Sequence, residues 1–411
     1  MKRAGDPVIY AVIILLSLPL VSAESTVSLE NLVRLEDADL GLEGATISPN
    51  GEIVLAHGAD SAVFLIDPEN PENNSRLDPQ LDSILYDSSF HPGSRSALIV
   101  GDGGLVLRLL LSNNSIERVG GNLEFGNTDL FAVSWNGDGS WAYVGGESGW
   151  IWRIRGFAEG GLEAIPLEGR GESDVNGISC ISGLRVCVIS SSVDGIGIID
   201  ENHRISWIGA VGHPWVDVVC PSVSQASCVC VSTDLTIAVV TINDNNASRS
   251  TIFDNDIVQL QGVEGKIRGI VHQYEGRSLI SVEPFGLIEH DLGERISFEW
   301  VGNSDAVNFS VRVSDESIAS TWGNGAFDGW LITKEGTMVS FSIHQEDHEG
   351  GILGIWIGVV IIGGTGLLLV SLLTSSSPKL SRIMAKWIGS EEERKRAIRE
   401  ERVRTRKRKR A

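Results

Sequence analysis

Lysine is almost missing from the middle of this 411-residue chain. Between residues 24 and 374 the lysines are Lys266 and Lys334, and 17 basic residues stand against 48 Asp and Glu, a net charge of −31. A surface this acidic repels the phosphate backbone of nucleic acids and favours solubility. The composition therefore excludes nucleic acid as a partner of this part of the chain.

Cysteine is also scarce, and the five cysteines all lie between residues 180 and 230. Cys180 and Cys187 flank one predicted tight turn, and Cys220 and Cys228 flank the equivalent turn of the next repeat. In an oxidising exterior, pairs across such hairpins come within bridging distance, which predicts disulfides 180–187 and 220–228 and leaves Cys230 in the core. The alternative is that all five are buried free thiols that pack as small hydrophobic side chains. A disulfide that closes so short a loop adds little stability, which favours this alternative.

No motif for nucleophilic or metal-dependent catalysis is present. The eight histidines are scattered and form no pattern with a Ser or Cys nucleophile. His344 and His348 lie four apart in HQEDHEG, which we interpret as a solvated stalk rather than a metal site. Residues 134–141, SWNGDGSW, loosely resemble the Asp-box turn of sialidases but occur once, and we interpret them as a structural turn. The sequence predicts no catalytic residue, cofactor or metal site.

Long apolar runs are limited to two, and the first is at the N-terminus. Lys2 and Arg3 precede an uncharged run over residues 7–20, which ends in the small-residue pattern of Val21, Ser22 and Ala23. This order is typical of a cleaved signal peptide over residues 1–23. A retained N-terminal anchor is the alternative, but the run is short for a membrane span.

The second run, residues 350–377, has no charge and exceeds the roughly 20 residues that a helix needs to cross the hydrocarbon core. It predicts a stalk over residues 344–350 and a single transmembrane helix over residues 351–374. Fourteen Lys and Arg against five Glu in residues 375–411 predict a cytoplasmic tail, with the N-terminus outside the cell membrane.

One face of the predicted span carries glycine at every fourth position, at Gly350, Gly354 and Gly358. Small residues at this spacing let two helices approach closely, so pairing through this face is a hypothesis.

A repeat fills the region between the two apolar runs. Each of seven units reads as an apolar strand, a polar turn, a second strand, a Gly or Asp turn and a third strand. The residue before the first turn is Ile47, Phe90, Trp135, Cys180, Cys220, Val271 and Val313 in turn. The spacings of 43, 45, 45, 40, 51 and 42 give the period of a β-propeller with about four strands per blade. A β-sandwich needs no such period, and solenoid periods are mostly shorter or helical.

The strings ISPNGEIVLAHG, FHPGSRSALIVGDGG and SWNGDGSWAYVGG resemble the blades of WD-repeat and related seven-bladed propellers. The resemblance covers most of residues 28–342 and implies an all-β, seven-bladed propeller over residues 24–343, a fold that serves as scaffold, ligand binder or, less often, enzyme. The Trp-Asp signature of the best-known subfamily is absent, and the third strands of the first three units end in LID, LLL and RIR. Residues 27–37 precede the first unit and are predicted to supply the outer strand of the last blade.

Four N-x-Ser sequons are candidates for glycosylation: Asn73, Asn113, Asn246 and Asn308. Three of them are predicted to lie in loops that link consecutive units. A few sequons by chance are also expected in an Asn-rich chain.

The tail combines a membrane-proximal segment with a charged helix. Lys379, Arg382 and Lys386 flank an apolar side that contains Trp387, a spacing that lets a helix rest on anionic headgroups. Ser390 begins a predicted charged helix. The terminal RTRKRKR is suited to lipid, nucleic acid or an acidic protein, or only sets the topology.

Three functions are compatible with these features. A binding or scaffold propeller on the cell surface, with a protein or glycan ligand outside and anionic lipid at the tail, is the leading hypothesis. A surface hydrolase or lyase is the second, and a pair of acidic residues with raised pKa in the central channel would favour it. An envelope-assembly factor whose tail contacts cytoplasmic machinery is the third.

Overall fold

The computed structural model describes residues 27–157, 161–221, 226–243, 246–302, 313, 316–323, 325, 327–343 and 390–408. The chain divides into two compact units, Met1–His344 and Gln345–Ala411. The described residues of the first unit form seven four-stranded antiparallel sheets, which confirms the predicted seven-bladed propeller.

The strands are three to nine residues long, and several second and third strands, such as Val54–Gly58 and Val63–Ile66, are buried at every position instead of alternating. Blade 1 comprises β2 (Leu42–Ile47), β3 (Val54–Gly58), β4 (Val63–Ile66) and β5 (Asn74–Leu77). Blade 2 comprises β6 (Leu85–Phe90), β7 (Ser96–Gly101), β8 (Val106–Leu110) and β9 (Ser115–Gly120). Blade 3 comprises β10 (Leu130–Trp135), β11 (Ala142–Gly146), β12 (Ile151–Gly156) and β13 (Leu162–Pro166). A short helix, α1 (Asn122–Phe125), connects blades 2 and 3.

Blade 4 comprises β14 (Val175–Cys180), β15 (Cys187–Ser191), β16 (Gly195–Ile199) and β17 (Ile205–Gly209). Blade 5 comprises β18 (Trp215–Val219), β19 (Ser227–Ser232), β20 (Thr236–Thr241) and β21 (Ile257–Gln259). Blade 6 comprises β22 (Lys266–Tyr274), β23 (Arg277–Glu283), β24 (Gly286–Asp291) and β25 (Ile296–Val301). Blade 7 comprises β26 (Ile318–Gly323), β27 (Asp328–Thr333), β28 (Thr337–Ile343) and β1 (Val27–Arg34).

The first strand in blades 1 to 6 and β26 in blade 7 are the inner strands, and each contacts the inner strands of both neighbouring blades. This cycle of contacts closes the ring around a central channel. Because strand direction alternates, the turns and connections lie on two opposite faces. We define the connection face by the turns between second and third strands and by the links from one blade to the next. The hairpin face carries the turns between first and second and between third and fourth strands.

Closure of the ring uses both ends of the propeller, as predicted. Strand β1 pairs antiparallel with β28 from Val27 opposite Ile343 to Arg34 opposite Thr337. The hydroxyls of Ser28 and Ser342 lie 2.8 Å apart across this pair. The first described strand therefore completes the last blade.

The hydrophobic core lies between blades rather than within them. Seven clusters of buried side chains each combine residues of two adjacent blades. At the closing interface, for example, Leu42 and Val54 of blade 1 pack with Trp322 and Ile332 of blade 7. A four-stranded sheet has two apolar faces, and each face is buried only by the neighbouring blade.

The seventh unit differs from its prediction. Val313 lies in the connection before β26, and the first turn of blade 7 follows Gly323 instead. The sequence VRV at residues 311–313 alternates apolar and polar residues as a strand does. The prediction therefore took it for the first strand of blade 7, which is β26 instead. The long spacing between units five and six is correct, because blade 5 contains an extended link between β20 and β21 with two short 3-10 turns, Ala247–Arg249 and Asp254–Asp256.

In the second unit, helix α2 (Glu391–Arg408) begins after Ser390, as predicted for the charged part of the tail. Lys395 Nζ lies 3.2 Å from Glu391 Oε1, one turn away. Among the described residues, no helix is long and apolar enough to cross a membrane. The predicted signal peptide, stalk and span lie outside the described residues, as do the glycines and the lipid-contact residues: Gly350, Gly354, Gly358, Lys379, Arg382, Lys386 and Trp387.

A glycine ends the second strand of each of the first three blades, where two segments of backbone meet. A Cβ at Gly58, Gly101 or Gly146 would lie 2.5, 2.2 or 2.3 Å from a carbonyl oxygen just before the inner strand of the same blade. In each case the next residue donates its N–H to that carbonyl, and for Asp102 the distance to Ile84 O is 3.1 Å. A side chain at any of these glycines would displace the carbonyl and disrupt the hydrogen bond that it accepts.

We predict that Gly101→Ala lowers the free energy of unfolding by about 1–3 kcal/mol, because the methyl group displaces the Ile84 carbonyl. Chemical denaturation with far-UV circular dichroism measures the change. Gly156→Ala is the matched control, since its nearest neighbour is Arg108 Nη1 at 3.5 Å, and it should stay within about 0.5 kcal/mol. Equal stability of the two variants would show that the close approach at Gly101 is not a constraint.

Candidate functional site

Every inner strand has a β-bulge near its start, at the second residue of six strands and at the third residue of β22. The strand register shifts around that residue in all seven blades. The bulge residues are Glu43, Tyr86, Phe131, Asn176, Val216, Arg268 and Ala319, and all seven line the central channel. A bulge re-aims a side chain at the rim of a sheet, so these seven residues form a ring near the connection-face end of the channel, which we call the channel mouth.

The bulge ring was not foreseen from the sequence. Its signal is a repeated pattern in which a buried apolar residue is followed by the bulge residue and then by a small or acidic one, such as Leu42-Glu43-Gly44 and Ile267-Arg268-Gly269. The pattern emerges only when the units are aligned on the structure. The cavity that the ring opens has a volume of about 560 Å³.

Two carboxyl groups sit one position deeper, at Asp87 and Asp217. Asp87 Oδ2 accepts the N–H of Val133 in the next blade at 2.7 Å, and its Oδ1 accepts the N–H of Ser88. Asp217 repeats the arrangement, with Oδ2 2.9 Å from the N–H of Ile270. Each aspartate therefore joins its own inner strand to that of the following blade.

The channel wall raises the pKa of both groups. Loss of hydration raises the pKa of Asp87 to about 8, with a smaller contribution from the charge of Asp217. The same cause raises the pKa of Asp217 to about 6. Both side chains are partly exposed to the channel, and contact with water there reduces the rise in pKa. A pair of channel carboxylates with raised pKa is what the hydrolase hypothesis predicted, but both oxygens of each group are engaged by backbone N–H groups.

Aromatic rings and acids share one side of the mouth. Tyr86 and Phe131 meet edge to face, with ring centroids 5.1 Å apart. Burial raises the pKa of Tyr86, and its hydrogen bond with Asp102 and the charges of Asp129 and Glu43 raise it further. The charges of three carboxylates thus act on the phenol of an aromatic pair at the channel mouth.

Arg268 is the basic residue of the bulge ring. Its guanidinium binds the carboxylate of Glu43 in blade 1 and lies 3.4 Å from Glu283 Oε1. Because blade 7 lies between blades 6 and 1, the Arg268–Glu43 pair spans one inner strand. The arginine is thereby neutralised by its own neighbours, and the mouth keeps a net negative charge.

The two faces of the ring differ in charge. Between the strand ends given above, the described turns and links of the connection face carry 18 Asp and Glu against Arg170 and Lys334. Those of the hairpin face carry 11 Asp and Glu against five Arg. The negative charge of the propeller is therefore concentrated on the face where the channel mouth opens.

Both predicted cysteine pairs are bonded in the structure. The Sγ atoms of Cys180 and Cys187 lie 2.06 Å apart, and those of Cys220 and Cys228 2.11 Å apart. Cys230 is a buried free thiol on β19. All four bonded cysteines flank hairpin-face turns, away from the channel mouth.

The sequons Asn73, Asn113 and Asn246 are exposed. They lie within blades, between the third and fourth strands, and not in loops that link consecutive units as predicted. The error arose because the repeat was read as three strands, which left the outer strand inside the supposed linker. Asn308 lies outside the described residues.

The stretch SWNGDGSW forms a turn held by its own side chains, which fits the structural interpretation. Asn136 Nδ2 donates to Asp138 Oδ1 at 2.8 Å, and the N–H of Trp141 donates to Asn136 Oδ1. Among the described residues no group of three or more His, Cys, Asp or Glu is arranged to hold a metal ion.

No protein family and no curated protein matches the chain. Among solved structures, the chain is similar to the β-propeller domain of Cps50 (Swd1) from Myceliophteria thermophila, with a TM-score of 0.59 and 10% sequence identity. The match covers 77% of this chain and 99% of that domain. At this identity the similarity shows the fold alone.

We predict that Asp87→Asn and Asp217→Asn flatten the pH dependence of stability. Folding raises both pKa values above the roughly 3.9 of an unfolded aspartate, so the folded protein holds protons that the unfolded chain releases. The free energy of unfolding therefore falls as pH rises from about 4 to 8 for Asp87 and from about 4 to 6 for Asp217. The slope reaches at most about 1.4 kcal/mol per pH unit for each proton.

Denaturant titrations at pH 4.5 to 8.5 measure this slope. The control is Asp60→Asn, an exposed acid on the connection face that leaves the channel unchanged. Parallel slopes in wild type, Asp87→Asn and Asp217→Asn would contradict a buried, protonated role for these groups.

Proposed function

We propose that this WD-repeat-like, seven-bladed propeller is a non-enzymatic binding module that recognises a basic protein segment at its channel mouth. The observation that carries the proposal is the concentration of acidic residues on the connection face, around an aromatic pair. An ammonium or guanidinium group is attracted both by carboxylates and by the face of an aromatic ring. The negative potential of the connection face also attracts a basic segment from a distance and so raises the association rate.

The geometry gives the two channel aspartates a structural part in this function. One oxygen of each accepts a backbone N–H of the following inner strand and the other a backbone N–H of its own strand, which helps to hold the bulge ring in place. A surface hydrolase or lyase that uses Asp87 and Asp217 is the second candidate, favoured by their raised pKa values. Loss of glycosidase or esterase activity in Asp87→Asn would support that candidate.

The proposal places the propeller on the cell exterior. Two apolar runs support this location, as a signal peptide over residues 1–23 and a membrane span over residues 351–374. The excess of basic residues in residues 375–411 supports a cytoplasmic tail. Helix pairing through Gly350, Gly354 and Gly358, and a tail partner in envelope assembly, are compatible with it.

We predict that the pair of substitutions Tyr86→Ala and Asp129→Asn weakens binding of an Arg/Lys-rich peptide about tenfold, which corresponds to about 1.4 kcal/mol. The variant removes the aromatic surface and one of the carboxylates around it. Full-length protein in neutral-lipid nanodiscs, titrated with fluorescent peptides of graded charge, gives the affinities.

The control replaces two exposed acids of the hairpin face, Glu69→Gln with Glu201→Gln, and so removes one negative charge more than the first variant without touching the mouth. Its affinity should stay within about twofold of wild type, and added salt should weaken all complexes. Equal losses in both double variants would mean that net charge, and not the channel mouth, governs binding.

We predict that a peptide of residues 379–411 binds vesicles that contain anionic lipid and releases them as salt is added. Each basic residue near the surface contributes on the order of 1 kcal/mol, and screening shortens that attraction to about 8 Å at physiological ionic strength. Co-sedimentation with anionic and neutral vesicles measures the difference. Equal binding to neutral vesicles would assign the contact to the apolar side with Trp387, and no binding to either would contradict a lipid contact.

A further inference from the structure

Three exposed asparagines occupy the same topological place in different blades. Asn73, Asn113 and Asn246 each lie between the third and fourth strands, in blades 1, 2 and 5. These turns belong to the hairpin face. Each asparagine is the first residue of an N-x-Ser sequon, the acceptor for N-linked glycan.

The local geometry separates these sequons into two kinds. In two of them the sequon hydroxyl donates to the amide oxygen of its own asparagine: Ser115 Oγ to Asn113 Oδ1 at 2.8 Å, and Ser248 Oγ to Asn246 Oδ1 at 2.6 Å. This hydrogen bond engages the amide oxygen and not Nδ2, the nitrogen that a glycan would modify. Within the described part of the chain, no hydrogen bond from Nδ2 of either asparagine is formed.

Asn73 is held differently. Its Nδ2 donates to Asp67 Oδ2 at 3.4 Å, and its carbonyl accepts the N–H of Asp67 at 3.0 Å. Its own N–H donates to Asn70 O at 2.9 Å. The turn therefore uses the very nitrogen that a glycan would modify.

We propose that Asn113 and Asn246 are N-glycosylation sites, that Asn73 is modified much less, and that the hairpin face is the glycan-bearing face of the propeller. This rests on the proposed function only in requiring export of the propeller. In the reaction, Asn Nδ2 forms a bond to the anomeric carbon of a polyprenyl-phosphate-linked oligosaccharide. The bond from that carbon to the phosphate oxygen breaks, the polyprenyl phosphate leaves, and a base of the transferase takes one amide proton.

Glycans at these two positions fit the charge pattern of the ring. Asn113 and Asn246 lie on the face opposite the acidic channel mouth, so attached sugars leave the mouth open. They also lie in turns of differing length, residues 111–114 and 242–256, so their shared place does not follow from one repeated turn sequence. The sugars would shield the hairpin face from contact with other proteins.

The test expresses the full chain in a cell that has an oligosaccharyltransferase and a secretory route. Peptides released after enzymatic deglycosylation in ¹⁸O water carry a mass label at each occupied asparagine. We expect high occupancy at Asn113 and Asn246 and several-fold lower occupancy at Asn73. Ser115→Ala and Ser248→Ala should abolish occupancy at their own sites, while Asn202→Gln, an exposed residue of the equivalent turn in blade 4, should change nothing.

Export is read from the same preparation by the mass of the N-terminal peptide. Exported protein that lacks residues 1–23 but carries no label at Asn113 and Asn246 would overturn the glycosylation proposal and leave the channel-mouth function standing. Higher occupancy at Asn73 than at either other site would overturn it as well. Protein that keeps residues 1–23 and stays inside the cell would contradict the exterior location, and with it this inference.

Discussion

Each four-stranded blade has two apolar faces and no means of burying either alone, and this constraint shapes everything else in the propeller. The seven hydrophobic clusters all lie between blades, so every blade depends on both of its neighbours. An open row of blades would leave an apolar sheet exposed at each end. The pairing of β1 with β28 removes both ends at once, because it completes blade 7 with residues from the start of the chain.

The channel follows from the same arrangement. Seven inner strands lie around one axis, and the residue after the bulge in each is Gly, Ala, Ser or Asp, small enough for close approach. Asp87 and Asp217 fill two of these positions and bond to the neighbouring inner strand, at the cost of holding carboxyl groups in a poorly hydrated wall. The bulge just before them turns a second, larger set of side chains toward the mouth. Close packing of the inner strands thus depends on the residue after the bulge, and the lining of the channel mouth depends on the bulge residue itself.

Much of the fold is readable from the sequence because it repeats. Seven copies of a strand and turn pattern reveal the period, and the spare strand at residues 27–37 reveals the closure. The seventh unit was misplaced at Val313 because strand alternation over three residues also occurs in a connection. The cysteine pairs are predictable, since both residues of each pair flank one local hairpin. The channel mouth is not, because Glu43, Tyr86 and Arg268 share no residue type and become neighbours only when the ring closes.

Pairing of β1 with β28 also sets an order of events during synthesis. Ser28 and Ser342 are 314 positions apart, so the first described strand finds its partner only after the last blade has been made. Until then blades 1 to 6 can pack in sequence, but the apolar sides of blade 1 and of the newest blade remain open to water. Contacts between such distant residues are reached slowly. The nascent propeller is therefore most exposed to wrong association just before completion, and a single late pairing converts a growing row of sheets into a ring.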